Sequence, residues 1–244
     1  MFIRDLEGNV IPFGKVRKEL YANFLDGTLP AWLETATRLA ADPTETVGAG
    51  TTFEPLPDRG TVQVTSPLTN NSYAELRTKL KFDSSKVSAI KFTLEAFQLA
   101  GNTWQTAQVG IKSVDGLAGI TFHQTATSGG SGIVRIYRTT AQGGNIDRPV
   151  KMALFTLGLA GDEGQNRKNI SILLLTGKQY PTEAERQFVV IMNDDQVGAY
   201  EEITGLLNHG ELQCVARVNT TTGVPTDQPR FLKAAAVKVE LWSN

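Results

Sequence analysis

The sequence predicts an all-β protein: a two-sheet antiparallel jelly-roll sandwich with a short N-terminal arm and at most one or two short helices. Three observations predict this class. Apolar and polar residues alternate with a period of two in several segments, other segments are apolar on both faces, and glycine-rich or polar turns separate them. No segment sustains the period of 3.6 residues that a long amphipathic helix requires.

The alternating segments are typical of strands with one buried and one solvated face. Residues 73–82, "YAELRTKLKF", place Ala74 and Leu76 on one face. Glu75 and Arg77 occupy the opposite face, which we expect to be solvated. Three further segments repeat the alternation, namely "SAIKFTLEAF", "SGIVRIYRTT" and "AAAVKVELW".

Apolar residues on both faces predict strands covered on both sides. This pattern occurs in "VKMALFTLGL", "NISILLLTG" and "RQFVVIM". The single cysteine, Cys214, lies in "ELQCVARV" on the same face as Leu212 and Ala216. We expect a buried, inert thiol there, and one cysteine excludes an internal disulfide framework.

One segment could form a helix. In residues 30–42, "PAWLETATRLAAD", apolar residues fall near helical spacing and Pro30 suits a first turn. The segment is short, and a loop followed by a strand fits it equally well.

The chain reads as one domain, residues 21–244, preceded by an arm, residues 1–20. Its 244 residues are within the range of single all-β domains. A formal net charge of −1 with scattered cations argues against nucleic-acid binding. No stretch reaches the ~20 apolar residues of a membrane span, so we expect no membrane insertion. The first residues lack the apolar core of a secretory signal.

The segment "NFLDGTLPAWLE", residues 23–34, resembles the opening of concanavalin A/laminin-G-type lectin jelly rolls, with Asp26-Gly27 and Trp32 as its sharpest points. The later strands are similar to that family in order and turn placement. They include "NISILLLTG", "RQFVVIMNDDQVGAYEEI", "GELQCVARVNTTTG" and "FLKAAAVKVELW".

The resemblance implies two stacked sheets, one of them concave, with ligands on the concave face or its rim. The family includes carbohydrate-binding modules, glycosidases, polysaccharide lyases and domains of phage tails. We therefore expect a non-enzymatic virion structural or adhesion protein of phage tail or baseplate type. It would be located in the virion as a homo-oligomer with other virion proteins as partners, and host-surface glycans are candidate ligands. The alternatives are a carbohydrate-active enzyme or its carbohydrate-binding module, and a capsid decoration protein.

Glu95 raises the question of catalysis, because glycosidases need two carboxyl groups. In jelly-roll glucanases the pair lies on one strand as Glu-x-Asp-x-Glu, but Thr93 and Phe97 flank Glu95 at that spacing. Glu75 could approach it only if their strands pair in register. We therefore predict no catalytic residues and leave Glu95 as a sugar-binding group or as part of a solvated face.

The sequence also predicts candidate binding residues. Aromatic rings can stack on sugars, and polar neighbours can bind their hydroxyl groups. The carbohydrate-binding candidates are Trp104, Tyr137, Arg135, Tyr200 and Glu95. A lyase site built from His123, Arg135 and Tyr137 is an alternative. No cofactor is expected except calcium, for which the "NDDQ" turn offers the oxygen ligands Asn193, Asp194 and Asp195.

Overall fold

A computed structural model describes most of the chain. The described residues are 3–4, 10–11, 18–39, 44–48, 50–56, 59–83, 86–100, 105–114, 119–125, 133–137, 144, 146–149, 168–175, 186–193, 196–204, 210–220 and 230–243. Regular structure within these ranges is entirely β, as predicted. In the same ranges, no helix is long and apolar enough to span a membrane.

The described ranges contain twenty strands. They are β1 (Ile3–Arg4), β2 (Val10–Ile11), β3 (Lys18–Ala22), β4 (Leu33–Arg38), β5 (Glu45–Val47), β6 (Thr51–Leu56), β7 (Arg59–Ser66), β8 (Tyr73–Thr78), β9 (Phe82–Asp83), β10 (Val87–Ala100), β11 (Gln105–Ser113), β12 (Gly119–Thr125), β13 (Ile133–Tyr137), β14 (Ile146–Pro149), β15 (Lys168–Leu175), β16 (Arg186–Asn193), β17 (Gln196–Thr204), β18 (Glu211–Thr220), β19 (Arg230–Ala234) and β20 (Ala236–Ser243).

Two antiparallel sheets form the sandwich. Sheet 1 has the order β17-β16-β15-β10-β19-β7-β6, with β20 beside β10 and β3 beside β20. Sheet 2 has the order β14-β13-β12-β11-β18-β8-β4-β5, with β9 beside β18. Strands β1 and β2 pair with each other. The predicted boundary at residue 20 lies within β3, which is part of sheet 1.

One apolar core lies between the sheets, because both contribute the inward half of their alternating residues to the same cluster. Sheet 1 supplies Ile90, Phe92, Leu94, Ile170, Ile172, Val237 and Val239, and sheet 2 supplies Leu76, Val109, Ile111, Leu212, Cys214 and Ala216. Burying each large side chain contributes about 1.5–3 kcal/mol. The predicted buried position of Cys214 is confirmed, and burial raises the pKa of its thiol well above the usual value.

Residues 30–39, the described part of the segment 30–42, contain a turn and a strand, not a helix. A turn precedes β4, and Leu33 and Thr35 then point into the core. β4 pairs with β8 from Leu33↔Thr78 to Arg38↔Tyr73, and this pairing satisfies its backbone hydrogen bonds. The β-branched threonines fit a strand better than a helix, and the tertiary pairing overrides the short helical pattern.

Glu95 lies on the outer face of sheet 1. β10 pairs with β20 up to Glu95 and with β19 from Gln98 onward. An irregularity between them includes Ala96 at φ 48°, and the Ala96 N–H donates to Asn169 Oδ1 at 2.8 Å. The face around Glu95 carries ordinary cross-strand ion pairs, such as Lys91–Glu240 at 3.8 Å.

The backbone after β3 is held against Gly60 of β7. A Cβ atom on Gly60 would overlap the Phe24 carbonyl oxygen and lie 2.8 Å from the Leu25 nitrogen. We expect Gly60→Ala to destabilise the protein by about 2 kcal/mol or more, since two backbone segments would have to separate. Chemical denaturation measures the effect.

Gly210→Ala is the control for this change. A Cβ atom at Gly210 would meet nothing within 4 Å, but φ is +74°. The expected loss of stability is therefore only the cost of holding an alanine in the left-handed backbone region, about 1 kcal/mol. Equal losses of stability in the two variants would contradict the close packing at Gly60.

Candidate functional site

Charged side chains from four strands of sheet 2 meet on its outer face. We call Glu34, Glu45, Tyr73, Glu75, Arg77 and Arg217 the carboxylate–arginine cluster. Strand register brings them together, because Glu75 lies opposite Arg217 on β18 and Arg77 lies opposite Glu34 on β4. Arg38 pairs with both Tyr73 and Glu45, which places those two residues at the same level of the face.

Glu75 is at the base of the cluster, with a side chain only 2% exposed. Its Oε1 accepts from Arg77 Nη1 at 2.7 Å. Its Oε2 accepts from Arg217 Nε at 2.7 Å and lies 2.5 Å from Arg217 Nη2. Two guanidinium groups therefore compensate one buried carboxylate, which is the condition under which a buried charge is tolerated.

Arg77 joins three carboxylates. Besides Glu75, its Nε donates to Glu34 Oε1 at 2.7 Å and its Nη1 donates to Glu45 Oε2 at 2.9 Å. Burial alone would lower the pKa of the Arg77 guanidinium, but the hydrogen bond to Glu34 and the charge of Glu75 outweigh burial and raise it. Arg77 therefore stays charged and fixes the positions of the carboxylates.

Tyr73 contacts both Glu45, which is bound to Arg77, and the second arginine, Arg217. Its hydroxyl donates to Glu45 Oε1, and its ring lies 3.8 Å from the Arg217 guanidinium carbon in a cation–π contact. Burial and the hydrogen bond to Glu45 raise the pKa of Tyr73 to about 12. Burial would raise the pKa of Glu45, but the hydrogen bonds from Tyr73 and Arg77 prevail and lower it. Glu45 is therefore ionised at neutral pH.

Glu45 and Glu75 form a close carboxylate pair. Both accept from Arg77 Nη1, at 2.9 and 2.7 Å, so these two oxygens are at most about 5.6 Å apart. Retaining glycosidases hold their two carboxyl groups ~5–5.5 Å apart. Glu45, 32% exposed, is the more accessible member of the pair.

Lys112 extends the charged face to β11. It lies opposite Gln213 of β18, four residues along β11 from Gln108, which lies opposite Arg217. Burial and the charge of Arg217 lower the pKa of Lys112 to about 8, against the opposing effect of Glu75. A lysine near this pKa can exchange a proton at neutral pH.

One expectation about these residues was wrong. The outer face of β8 is not solvated, because Glu75 and Arg77 are covered by their own ion pairs. The question left open by the sequence, whether Glu75 approaches Glu95 through strand pairing, is answered in the negative, since β8 belongs to sheet 2 and β10 to sheet 1. The alternation in the sequence predicted that Glu75 points outward. It could not predict which side chains of β4, β5 and β18 lie beside it.

The predicted binding residues are divided between the sheets. In sheet 2, Arg135 lies opposite Thr121 and Tyr137 opposite Gly119. In sheet 1, Tyr200 of β17 lies opposite Val190 of β16, and Glu95 of β10 is on the outer face. Trp104 lies outside the described residues. Their roles in carbohydrate binding stay predictions.

The predicted calcium site is mostly beyond the described ranges. Asn193 is the last residue of β16, and Asp194 and Asp195 lie outside the described residues. Within the described part of the chain, no three His, Cys, Asp or Glu side chains are grouped to hold a metal ion. Calcium binding at the "NDDQ" turn stays a prediction.

Comparison with known proteins identifies the fold. No protein-family model and no curated protein matches the chain. Among solved structures, the mixed-linkage glucan GH16 protein of Bacteroides ovatus in complex with product is similar, with a TM-score of 0.57, 9% identity and coverage of 90% of this chain and 99% of that one. The laminarinase of Rhodothermus marinus gives a TM-score of 0.59 at 10% identity, covering 92% of this chain and 97% of that one.

A sugar-recognition domain is also similar. The carbohydrate recognition domain of Emp46p, in its potassium-bound form, gives a TM-score of 0.51 at 8% identity, covering 89% of this chain and 94% of that one. The chain is thus a jelly-roll sandwich of the concanavalin A-like kind, which confirms the predicted fold class. At such low identity the likeness shows the fold alone.

The comparisons correct the functional prediction. The expectation of a non-enzymatic virion protein was wrong, because the similar structures include GH16 proteins and a laminarinase. The sequence was searched for two carboxylates on one strand, whereas Glu34, Glu45 and Glu75 come together from three strands. The homo-oligomer, the virion partners and the virion location stay predictions.

Tyr73→Phe tests the cluster without removing a charge. The pKa of Glu45 is lowered from 4.5 in the folded state, so its contribution to stability is full above pH 4.5 and is lost as the pH falls through the folded pKa. Without the hydroxyl the pKa of Glu45 should rise, and the variant should lose about 1 kcal/mol at neutral pH. Denaturation at a series of pH values measures both.

The difference between Tyr73→Phe and the natural protein should shrink in acid, where Glu45 is protonated in both. Tyr21→Phe, on sheet 1, is the control and should not change the dependence on pH. A Tyr73→Phe deficit that is constant from neutral to acid pH would contradict the role of the Glu45 hydrogen bond.

Proposed function

We propose that this protein is a carbohydrate-active enzyme that hydrolyses a glycan bound across the outer face of sheet 2. The observation that carries the proposal is the Glu45–Glu75 pair, whose oxygens lie within about 5.6 Å of each other around one arginine. That limit includes the ~5–5.5 Å separation used for hydrolysis with retention of configuration. The similarity of the fold to GH16 proteins supports the same class.

Glu45 is the nucleophile of the pair in this proposal. It is ionised at neutral pH and is the more exposed of the two carboxylates. Arg77 holds it beside Glu75, which is the second carboxyl group. Attack of Glu45 on the anomeric carbon breaks the bond to the leaving sugar, whose oxygen takes a proton from water, and forms a glycosyl ester. The hydroxide left behind then cleaves that ester, which releases the second sugar and restores the Glu45 carboxylate.

Elimination is the second candidate reaction. Lys112, with a pKa of about 8, can act as a base, and it lies close enough to Arg217 for their charges to interact. A lyase removes the proton next to a uronate carboxylate and leaves an unsaturated sugar end. This alternative requires an acidic polysaccharide, whereas hydrolysis by the carboxylate pair does not.

The test is incubation of the purified protein with neutral β-glucans and, separately, with uronate-containing polysaccharides. Hydrolysis predicts new reducing ends on a neutral glucan, without ultraviolet absorbance from unsaturated ends, and NMR should show retained configuration at the first product. Unsaturated products from a uronate polymer would identify the lyase instead. Absence of new reducing ends across both groups would overturn the proposed enzyme.

A further inference from the structure

A recessed site lies where β3 ends. Its cavity is about 260 Å³, and its lining residues include Tyr21, Asn23, Phe24, Asp26, Thr28 and Pro30. Tyr21 lies opposite Lys238 of β20 in sheet 1. None of these lining residues belongs to the carboxylate–arginine cluster.

The walls of the cavity are fixed before any ligand arrives. Phe24 has φ 57°, and its carbonyl accepts from the Gly27 N–H at 3.1 Å. Asp26 Oδ1 accepts from the Thr28 N–H at 3.1 Å, which closes the turn. The Phe24 side chain is buried, and its backbone is pressed against Gly60. A rigid wall lowers the entropy lost on binding.

The lining has the chemistry of a sugar site. Tyr21 is 49% exposed and contributes an aromatic ring to the lining. Asn23, Asp26 and Thr28 are exposed polar residues of the same lining. An aromatic ring together with a few hydrogen-bonding groups suits a pyranose ring, which has an apolar face and a rim of hydroxyl groups.

Charge excludes an acidic ligand. Hydrogen bonds from Thr28 lower the pKa of Asp26, which is therefore a carboxylate at neutral pH. Burial raises the pKa of Tyr21, and the charge of Glu95 raises it further, so Glu95 lies near the cavity. Lys238, the neighbouring cation, pairs with Glu19 at 3.0 Å and Glu240 at 3.3 Å. The surroundings are negative, which disfavours uronates and sulfated sugars.

We propose that this cavity binds one neutral pyranose ring, as a glycan-binding site separate from the carboxylate–arginine cluster. Tyr21 lies against the apolar face of the sugar, and Asn23 and Asp26 bind its hydroxyl groups. The volume is below that of sites for drug-sized ligands, so a single ring fills it. The ring is either a free monosaccharide or one residue of a longer glycan.

The experiment is an NMR-monitored titration of the full chain with glucose, galactose, mannose and N-acetylglucosamine. A second titration uses an oligosaccharide made of the monosaccharide that binds. At least one sugar should bind with a millimolar Kd, and Tyr21→Ala should weaken it about tenfold through loss of the ring. Tyr21→Phe should retain binding. A tighter Kd for the oligosaccharide identifies a residue of a longer glycan as the ligand, and an equal Kd identifies the monosaccharide.

Leu25→Ala is the matched control, because Leu25 is 63% exposed in the same turn but does not line the cavity. It should leave the Kd unchanged. The site is disproved if no sugar saturates the protein, or if Leu25→Ala weakens binding as much as Tyr21→Ala. Glu45→Gln separates this site from the proposed enzyme: it should abolish cleavage and leave sugar binding intact, and loss of both would place the sugar on sheet 2.

Discussion

Replacing Glu75 with alanine is expected to destabilise the protein by about 3–5 kcal/mol, the usual cost of breaking a buried ion pair from one side. Glu75 is only 2% exposed and accepts from both Arg77 and Arg217. Its removal leaves two guanidinium groups close together on a partly buried face without their shared anion. Chemical denaturation at neutral pH measures the loss.

Glu211→Ala is the matched control for Glu75→Ala. Glu211 is also a carboxylate at a strand of sheet 2, but it is 59% exposed and lies 3.8 Å from Lys81. An exposed pair of this kind contributes about 0–1 kcal/mol. If Glu75→Ala cost no more than Glu211→Ala, the cluster would be a set of solvated charges and Glu75 would not hold it together.

Glu45→Gln is expected to lower kcat/KM for the cleaved glycan by about 10³-fold or more, because the amide cannot attack the anomeric carbon. The change should leave the fold intact, since Gln keeps an oxygen that accepts from Arg77, and its amide N–H can donate to the Tyr73 hydroxyl. A fluorosugar that traps the glycosyl ester should label the natural protein at Glu45, as read by mass spectrometry of its peptides.

The dependence on pH gives an independent check. Glu45 must be ionised to attack, and its pKa is lowered from 4.5, so activity should persist below pH 4.5 before it falls on the acid side. Glu240→Gln, on the outer face of sheet 1, is the control and should keep full activity. Labelling at another carboxylate, or full activity of Glu45→Gln, would reject Glu45 as the nucleophile.

The strands of the core were predictable because their pattern is local. Alternation with a period of two correctly placed Ala74 and Leu76 inward, and the run "NISILLLTG" forms β15, in which Ile170, Ile172 and Leu173 are all buried. Direction of a side chain follows from its position along its own strand, so no knowledge of the partner strand is needed.

The segment at 30–42 shows the first limit of such reasoning. Its residues fit a helix or a strand on local grounds, and the pairing of β4 with β8 decides between them. A segment of this length does not form a stable helix from its own propensity. The backbone hydrogen bonds offered by a neighbouring strand therefore determined its structure.

The all-β class, the inward residues and the burial of Cys214 were predictable from the residues alone, because hydrophobic burial follows the period of each strand. The positions of Glu75 and Glu95 on opposite sheets, and the contact between Glu45 and Arg77, became visible only in the folded chain. Residues 45 and 77 are 32 positions apart, and their contact depends on sheet order and register. These are properties of the whole chain, since pairing distant strands is what brings their charges within hydrogen-bonding distance.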